Sequence, residues 1–408
     1  MDLNFLFRKG KLTTIMDASA GSSGKGKLGS FVTEHATNWQ FCCNTFGPQA
    51  GHWVKLDDGR KFFYQTLNSC AYNVNRYEKM YLGHGCILEL PAFFREIEEN
   101  NVPMKKIGIS PIAAILQDID AQFERGEVDL DGNRLKEVGL GTMKSGSTCH
   151  GVGACKARKI LRRPNIKLAR DIPELKEFLC DVPGEIMNRL DDGQAGLMEV
   201  AQGFQLSYGL DGMYPFCTSR NCTVAAGLDD MMLPTKYAGA VILNCRTYPI
   251  RINNRKFIAQ DGHHMTWAEV EQYRKESKPF EIKEFNSGHG YDDQVEVEWE
   301  EVTRLSGSPE PIIEMTSVTK LPRRVFTFSK RNLLQAIKYN DCGSDIFVSI
   351  NFVNYVDHAL SGKRSESDIT EKMQQWMNVH LWDVCEATGA KILCLGTGAP
   401  TDDMIVTL

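Results

Sequence analysis

LTTIMDASAGSSGKGKL, Leu12 to Leu28, is the stretch from which the rest of the chain is read. Its opening, Leu12 to Met16, is an apolar run with β-branched residues, which predicts a buried strand. A glycine-dense turn follows and passes into a lysine-rich segment able to continue as a helix. Gly21, Gly24 and Gly26 let the backbone bend tightly and approach an anion, while Lys25 and Lys27 supply charge. The free N–H groups at the start of the helix would point at the same anion. The layout is that of a phosphate cradle, although the same letters also describe a plain strand-to-helix turn with surface lysines.

A Walker A loop carries glycine where this chain has Ser19, so the cradle is related to a P-loop without being a standard one. The chain has 408 residues, 42% of them hydrophobic, enough to bury a large core in one elaborate α/β domain or two ordinary ones. A net charge of -5 argues against a general nucleic-acid binder. No apolar run reaches the ~18 residues of a membrane span, and MDLNFLFRKGK is too short and polar for a signal peptide. These features predict a soluble, cytoplasmic protein with no membrane partner. The 13 cysteines are odd in number and form no CxxC pair; Cys42, Cys43, Cys217 and Cys245 sit in apolar strand-like runs and read as reduced core thiols.

A second strand, Trp39 to Asn44, leads into FGPQAGHW at residues 46 to 53, a shaped loop before another strand. Asp58 and Gly59 then close a hairpin onto Lys61 to Thr66. Residues 71 to 125 alternate short apolar runs with helical patterns, as βα units do. Two more glycine-rich stretches follow, GLGTMKSGSTCHGVGAC at 139 to 155 and MEVAQGFQLSYGLDGMYPFCTSRNCTVAAG at 198 to 227. Residues 262 to 311 read as an irregular, polar insertion, after which strands are predicted near Ile346 to Phe352 and Ile392 to Leu395. Glycine-rich loops that follow strands and precede helices predict a single α/β domain, P-loop-like, with a central, largely parallel sheet flanked by helices.

Five of these stretches, in order, resemble adenylosuccinate synthetase. The family's GDEGKGK reads GSSGKGK at Gly21 to Lys27, and its NAGH reads QAGH at Gln49 to His52. Its GTTGRGIGPAY loop resembles GSTCHGVGACK at Gly146 to Lys156. EVAQG at Glu199 to Gly203 and MYPFCTSRNCT at Met213 to Thr223 resemble its EGAQG and TYPFVTSSNTT, and SVTKLPRR at Ser317 to Arg324 resembles its TTTGRPRR loop. Together they cover nearly the whole chain.

The resemblance implies a homodimeric P-loop-like fold and an enzyme that moves the γ-phosphate of a nucleoside triphosphate onto O6 of a purine monophosphate. The amine of L-aspartate then displaces that phosphate. It implies that Ser23, Gly24, Lys25, Gly26, Lys27, Gly51, His52, Asn354 and Gly398 hold the triphosphate, with Lys25, His52 and Ser22 at the reacting centre. Mg²⁺, a hard ion, would take the Gly51 carbonyl and the position of Ser22 as ligands. Ser22, Gln49, Ser147, Thr148, Gln202 and Thr218 would hold the purine monophosphate, together with Arg162 reaching across from a second subunit. Ile252, Val318, Thr319 and Arg323 would hold L-aspartate.

Three departures shape the functional expectation. Where most of the family has an aspartate that takes the N1 proton and ligates Mg²⁺, this chain has Ser22, neither a carboxylate base nor an anionic ligand. A short neutral hydroxyl leaves room for an amino group at C2, as in the phage-encoded 2-aminoadenylosuccinate synthetases of this family, which act on dGMP. The guanine-reading TKLD segment appears as NFVN, Asn351 to Asn354, and an asparagine amide pairs with adenine where an aspartate reads guanine, favouring ATP or dATP. Leu321 stands in place of an arginine spanning aspartate and ribose, which suits a deoxyribose. The alternatives are an IMP-using adenylosuccinate synthetase, an inactive nucleotide-binding paralogue, an ordinary P-loop kinase or GTPase, and, more remotely, a metal hydrolase on His263 and His264.

Overall fold

The computed structural model describes residues 2–135, 149–316 and 320–408. Nine strands form the main sheet, in the spatial order 404–406, 391–396, 346–351, 238–246, 12–17, 196–203, 41–44, 79–82 and 107–109. All neighbours pair in parallel except the edge strand Met404–Val406, which runs antiparallel to Lys391–Gly396. Leu12–Asp17 lies inside the sheet between Gly196–Gly203 and Ala238–Arg246, and all its residues are buried. The continuous apolar runs of these three strands follow from helices covering both faces, since a strand buried on both sides has no polar alternation to keep.

The expected strands at the start of the chain and near residues 346 and 392 are present, as are the 52–64 hairpin and the alternation through 71–125. The hairpin turns at Gly59, whose φ of 88° suits a residue without Cβ. One large core unites the sheet with the helices on both of its faces. Cys42, Cys43 and Cys245 are buried in it, and none of the 13 cysteines forms a disulfide. Cys217 departs from its reading: it is half-buried in an irregular turn, because the two glycines and the proline before it, Gly209, Gly212 and Pro215, break the strand-like run.

The irregular insertion expected over 262–311 is instead ordered. It contains the helices Trp267–Lys275 and Trp299–Ser306 and the strands Glu281–Glu284 and Glu296–Val297. Thr266 and Glu269 form a capping box that starts the first helix, and Phe257, Ala259, Met265, Val270 and Leu321 bury a small separate core against it. Polarity misled the reading, because short elements on a small core keep most of their surface in water.

Candidate active site

Six loops leave the carboxyl ends of neighbouring sheet strands and meet above Leu12–Asp17, where open parallel sheets gather ligands. The glycine loop is the centre of the group. Gly24, at φ 87°, turns the chain into the helix Lys25–His35, and a Cβ there would stand 3.2 Å from Asn351 Nδ2. Side chains from four other segments clamp the loop. Asn244 Nδ2 and Asn351 Nδ2 donate to the Ser23 carbonyl at 2.9 and 3.0 Å, and Arg246 Nη1 donates to the Ser22 carbonyl at 2.7 Å. The Ala20 N–H donates to Gln205 Oε1 at 3.0 Å, and Asn332 Nδ2 donates to the Ala18 carbonyl at 3.1 Å. The loop is therefore fixed before any phosphate arrives, which removes an ordering cost from binding. Ser22 is the exposed residue at its tip, whereas Ser23 is buried with a hydroxyl that has no protein partner.

Beneath the loop lies a buried cluster of charge. Lys25 Nζ donates to the Gln202 carbonyl at 2.9 Å and stands 3.4 Å from Asp17 Oδ2. Gln202 presents that carbonyl from a left-handed backbone, φ 64°. Burial pushes the Asp17 carboxyl up, against the attraction of Lys25 and a hydrogen bond from Asn244. Glu199 is buried beside Ser69 and pushed up to about 7 by its burial.

His52 begins the 52–55 strand with its ring stacked on Phe46, centroids 4.1 Å apart. Burial, and then the nearby Lys25 charge, hold it well below the usual imidazole range, so it is neutral at pH 7. Gly51 precedes it under the Phe63 ring, where a Cβ would come within 2.0 Å of the ring edge. Gln49 is half-buried, and its Oε1 has no protein partner.

Lys27 is buried in the first turn of the helix Lys25–His35. Its ammonium is committed to the carbonyls of Gly398 at 2.8 Å and Asp403 at 2.6 Å, so it braces the 396–403 loop. Burial lowers it to about 8, with Asp403 opposing the shift. Gly398 is thereby fixed near the same loop as Asn354, since Gly362 N–H donates to the Thr397 carbonyl and Thr397 Oγ1 donates to the Lys363 carbonyl. Gly26 is buried in the first turn of its helix, against the 52–53 backbone.

The monophosphate and aspartate residues are only partly within the described residues. Ser147, Thr148, Val318 and Thr319 lie outside them. Thr218 is half-buried, its N–H donating to the Leu206 carbonyl at 2.8 Å. Arg162 is exposed just beyond the helix Val152–Ile160, flanked by exposed Ile160 and Leu161. Arg323 is half-buried, with its N–H on the Glu314 carbonyl and its Nε 3.2 Å from the Met315 carbonyl; burial lowers its pKa. The Ile252 carbonyl accepts from Ser287 Oγ at 3.2 Å. Leu321 belongs to the small apolar core, so the missing arginine has become a packing residue. Arg324 is held by Glu296 and the Gly288 carbonyl, and His263 pairs with Asp261 at the surface.

Residues 14–171 match the family model described as adenylosuccinate synthetase. Over these residues the chain is similar to that family. Among its relatives, the N6-succino-2-amino-2'-deoxyadenylate synthase of Vibrio phage phiVC8 is 29% identical, over 84% of this chain and 85% of that protein. The adenylosuccinate synthetase of Archaeoglobus fulgidus is also 29% identical, over 60% of this chain and 67% of that protein. Among solved structures, that of the cyanophage S-2L succinoaminodeoxyadenylate synthetase, bound to dGMP and dATP as an energy donor, matches with a TM-score of 0.70 and 27% identity, covering 97% of this chain and 94% of that one. The fully ligated adenylosuccinate synthetase of Plasmodium falciparum shares the fold at a TM-score of 0.69 and 16% identity.

Asp17, Asn244, Arg246 and Asn351 were not among the sequence candidates, although each is a polar side chain at or near the end of a largely apolar strand, and that pattern was the available signal.

Proposed function

We propose that the protein joins L-aspartate to C6 of dGMP at the expense of ATP or dATP, giving N6-succino-2-amino-2'-deoxyadenylate, the nucleoside diphosphate and phosphate. The observation that carries this reading is Ser22: an exposed, uncharged residue at the tip of a loop that is otherwise clamped for phosphate. The likeness over most of its length to phage enzymes named for this chemistry supports it.

In the first step O6 of the purine attacks the γ-phosphorus, the new O–P bond forms, and the bond to the β,γ-bridging oxygen breaks. Charge moves to the bridging oxygen, where neutral His52 donates a ring N–H and Lys25 offsets the phosphate charge. The N1 proton passes to Ser22 Oγ, which releases its own proton to a phosphate oxygen. In the second step the aspartate amine bonds to C6, the C6–O bond breaks, and the amine proton goes to the departing phosphate. Gln49 and Gln202 orient the base. Thr148, Ser147, Thr218 and Arg162 of a second subunit hold the 5'-phosphate. Thr319, Val318, Ile252 and Arg323 hold aspartate.

Among the described residues no three ligating side chains converge, and the available donors are the Gly51 carbonyl and the Ser22 hydroxyl. That set suits Mg²⁺ carried mainly by substrate phosphates, with these two as its protein ligands, where it would supply charge neutralisation.

The test is phosphate release with mass detection of the succino-nucleotide. Turnover should require dGMP, ATP and L-aspartate together; release without aspartate would indicate an ordinary NTPase, and no release an inactive paralogue. Mixing Arg162→Ala with His52→Ala protein should restore part of the activity in heterodimers if the site is shared.

A further inference from the structure

We propose that Arg246 is a positioning residue that joins three ligand loops, so that L-aspartate binding at one of them tightens the hold on the purine monophosphate at another. The proposal rests on the reading above. Arg246 ends the strand Ala238–Arg246, and its side chain is wholly buried. Nη1 donates to the Ser22 carbonyl at 2.7 Å and to Glu314 Oε2 at 3.2 Å, while Nη2 donates to Glu314 Oε1. The guanidinium carbon stands 4.0 Å from the centre of the Phe352 ring. One planar fork thus touches the glycine loop, the base of the aspartate loop and the segment that carries Asn354.

Each contact bears on a ligand. Glu314 lies beside Arg323, the residue expected to hold aspartate: Arg323 N–H donates to the Glu314 carbonyl at 2.8 Å, and Met315 bridges Pro322. Phe352 is held in the left-handed region at φ 61°, with its carbonyl on Thr247 Oγ1 at 2.7 Å, so the stacked guanidinium braces a strained turn. Arg246 Nε is buried with no acceptor. A group so costly to bury, with one donor unmet, is poorly explained by stability alone.

The sign of the coupling follows from the charges. Glu314 faces both Arg246 and Arg323, and the two arginines repel each other. A carboxylate of L-aspartate on Arg323 offsets that charge, lifts its repulsion from Arg246, and so stiffens the fork that fixes Ser22. The linkage is reciprocal: dGMP must tighten aspartate by the same factor.

Calorimetric titration of the full-length protein with dGMP, with and without saturating L-aspartate and in the absence of ATP, tests this. Wild type should bind dGMP about 5-fold or more tightly with aspartate present, a normal coupling size. In Glu314→Gln, which keeps the shape and loses the charge, the factor should fall below about 2. Arg246→Lys, which cannot form the fork, should do the same, with melting curves to verify folding. No coupling in the wild type, or wild-type coupling retained in Glu314→Gln, overturns the proposal. Absence of any dGMP binding in the wild type would instead strike the substrate reading.

Discussion

The Asp17 carboxylate lies 3.4 Å from the Lys25 ammonium under the glycine loop, and both side chains are almost entirely shielded from water. Lys25 therefore compensates a buried acid, in addition to the phosphate role proposed for it. Lys25→Ala should cost about 3 kcal/mol of stability because it strands Asp17, and should abolish turnover. In Lys25→Ala/Asp17→Asn much of the stability should return while activity does not. Urea denaturation of both variants checks this, and a double variant no more stable than the single one would refute the pairing.

Glu199 and Glu96 are each pushed up to about 7 by burial, from an ordinary value of 4.5. Between those values the folded protein holds more protons than the unfolded chain, so stability is greatest below pH 4.5 for these groups and is lost as pH rises to about 7. Each accounts for a loss on the order of 3 kcal/mol over that range, while carboxylates with lowered values act at more acid pH, below about 4.5. Glu199→Gln should flatten the fall in stability between pH 5 and 7, measured by denaturation at a series of pH values. An unchanged slope would contradict the assignment.

Neutral His52, stacked on Phe46, predicts that kcat shows no inflection in the ordinary imidazole range near pH 6.5. His52→Ala should lower kcat by roughly 10²-fold or more, with a smaller change in KM for dGMP, because the donated N–H matters most as the leaving oxygen gains charge. Steady-state rates across pH decide it; a His52-dependent inflection near 6.5 would show a charged imidazole instead.

Leu321 is packed with Phe257, Met265 and Val270, so Leu321→Arg should destabilise the protein by about 3 kcal/mol or more rather than rebuild an aspartate contact. A drop in Tm without improved KM for aspartate is the outcome to look for. A lower KM at unchanged Tm would mean that the side chain reaches the site after all.

The glycine loop, the His52 loop and the parallel sheet were legible because each depends on local chemistry: apolar runs, turn residues and the short spacing of glycine and lysine. What holds the loop in place was not. Arg246, Asn244, Asn351 and Gln205 act from positions hundreds of residues away in sequence, and their contacts exist only once the strands are side by side. The bracing contact of Lys27 was hidden for the same reason: nothing in GKGK says that its ammonium will meet the carbonyls of the 396–403 loop. The helices within 262–311 were missed because their stripes are short, although the Thr266 and Glu269 capping pair was visible.

The central claim is that Ser22 selects a 2-amino purine. Guanine and hypoxanthine share O6 and N1–H, so the C2 amine alone separates them, and a site discriminates by admitting or crowding such a group. The decisive measurement is kcat/KM for dGMP and for IMP in the wild type and in Ser22→Asp, with ATP and L-aspartate held fixed. The account predicts a wild-type preference for dGMP and a ratio shifted toward IMP in Ser22→Asp; a wild-type preference for IMP would contradict it.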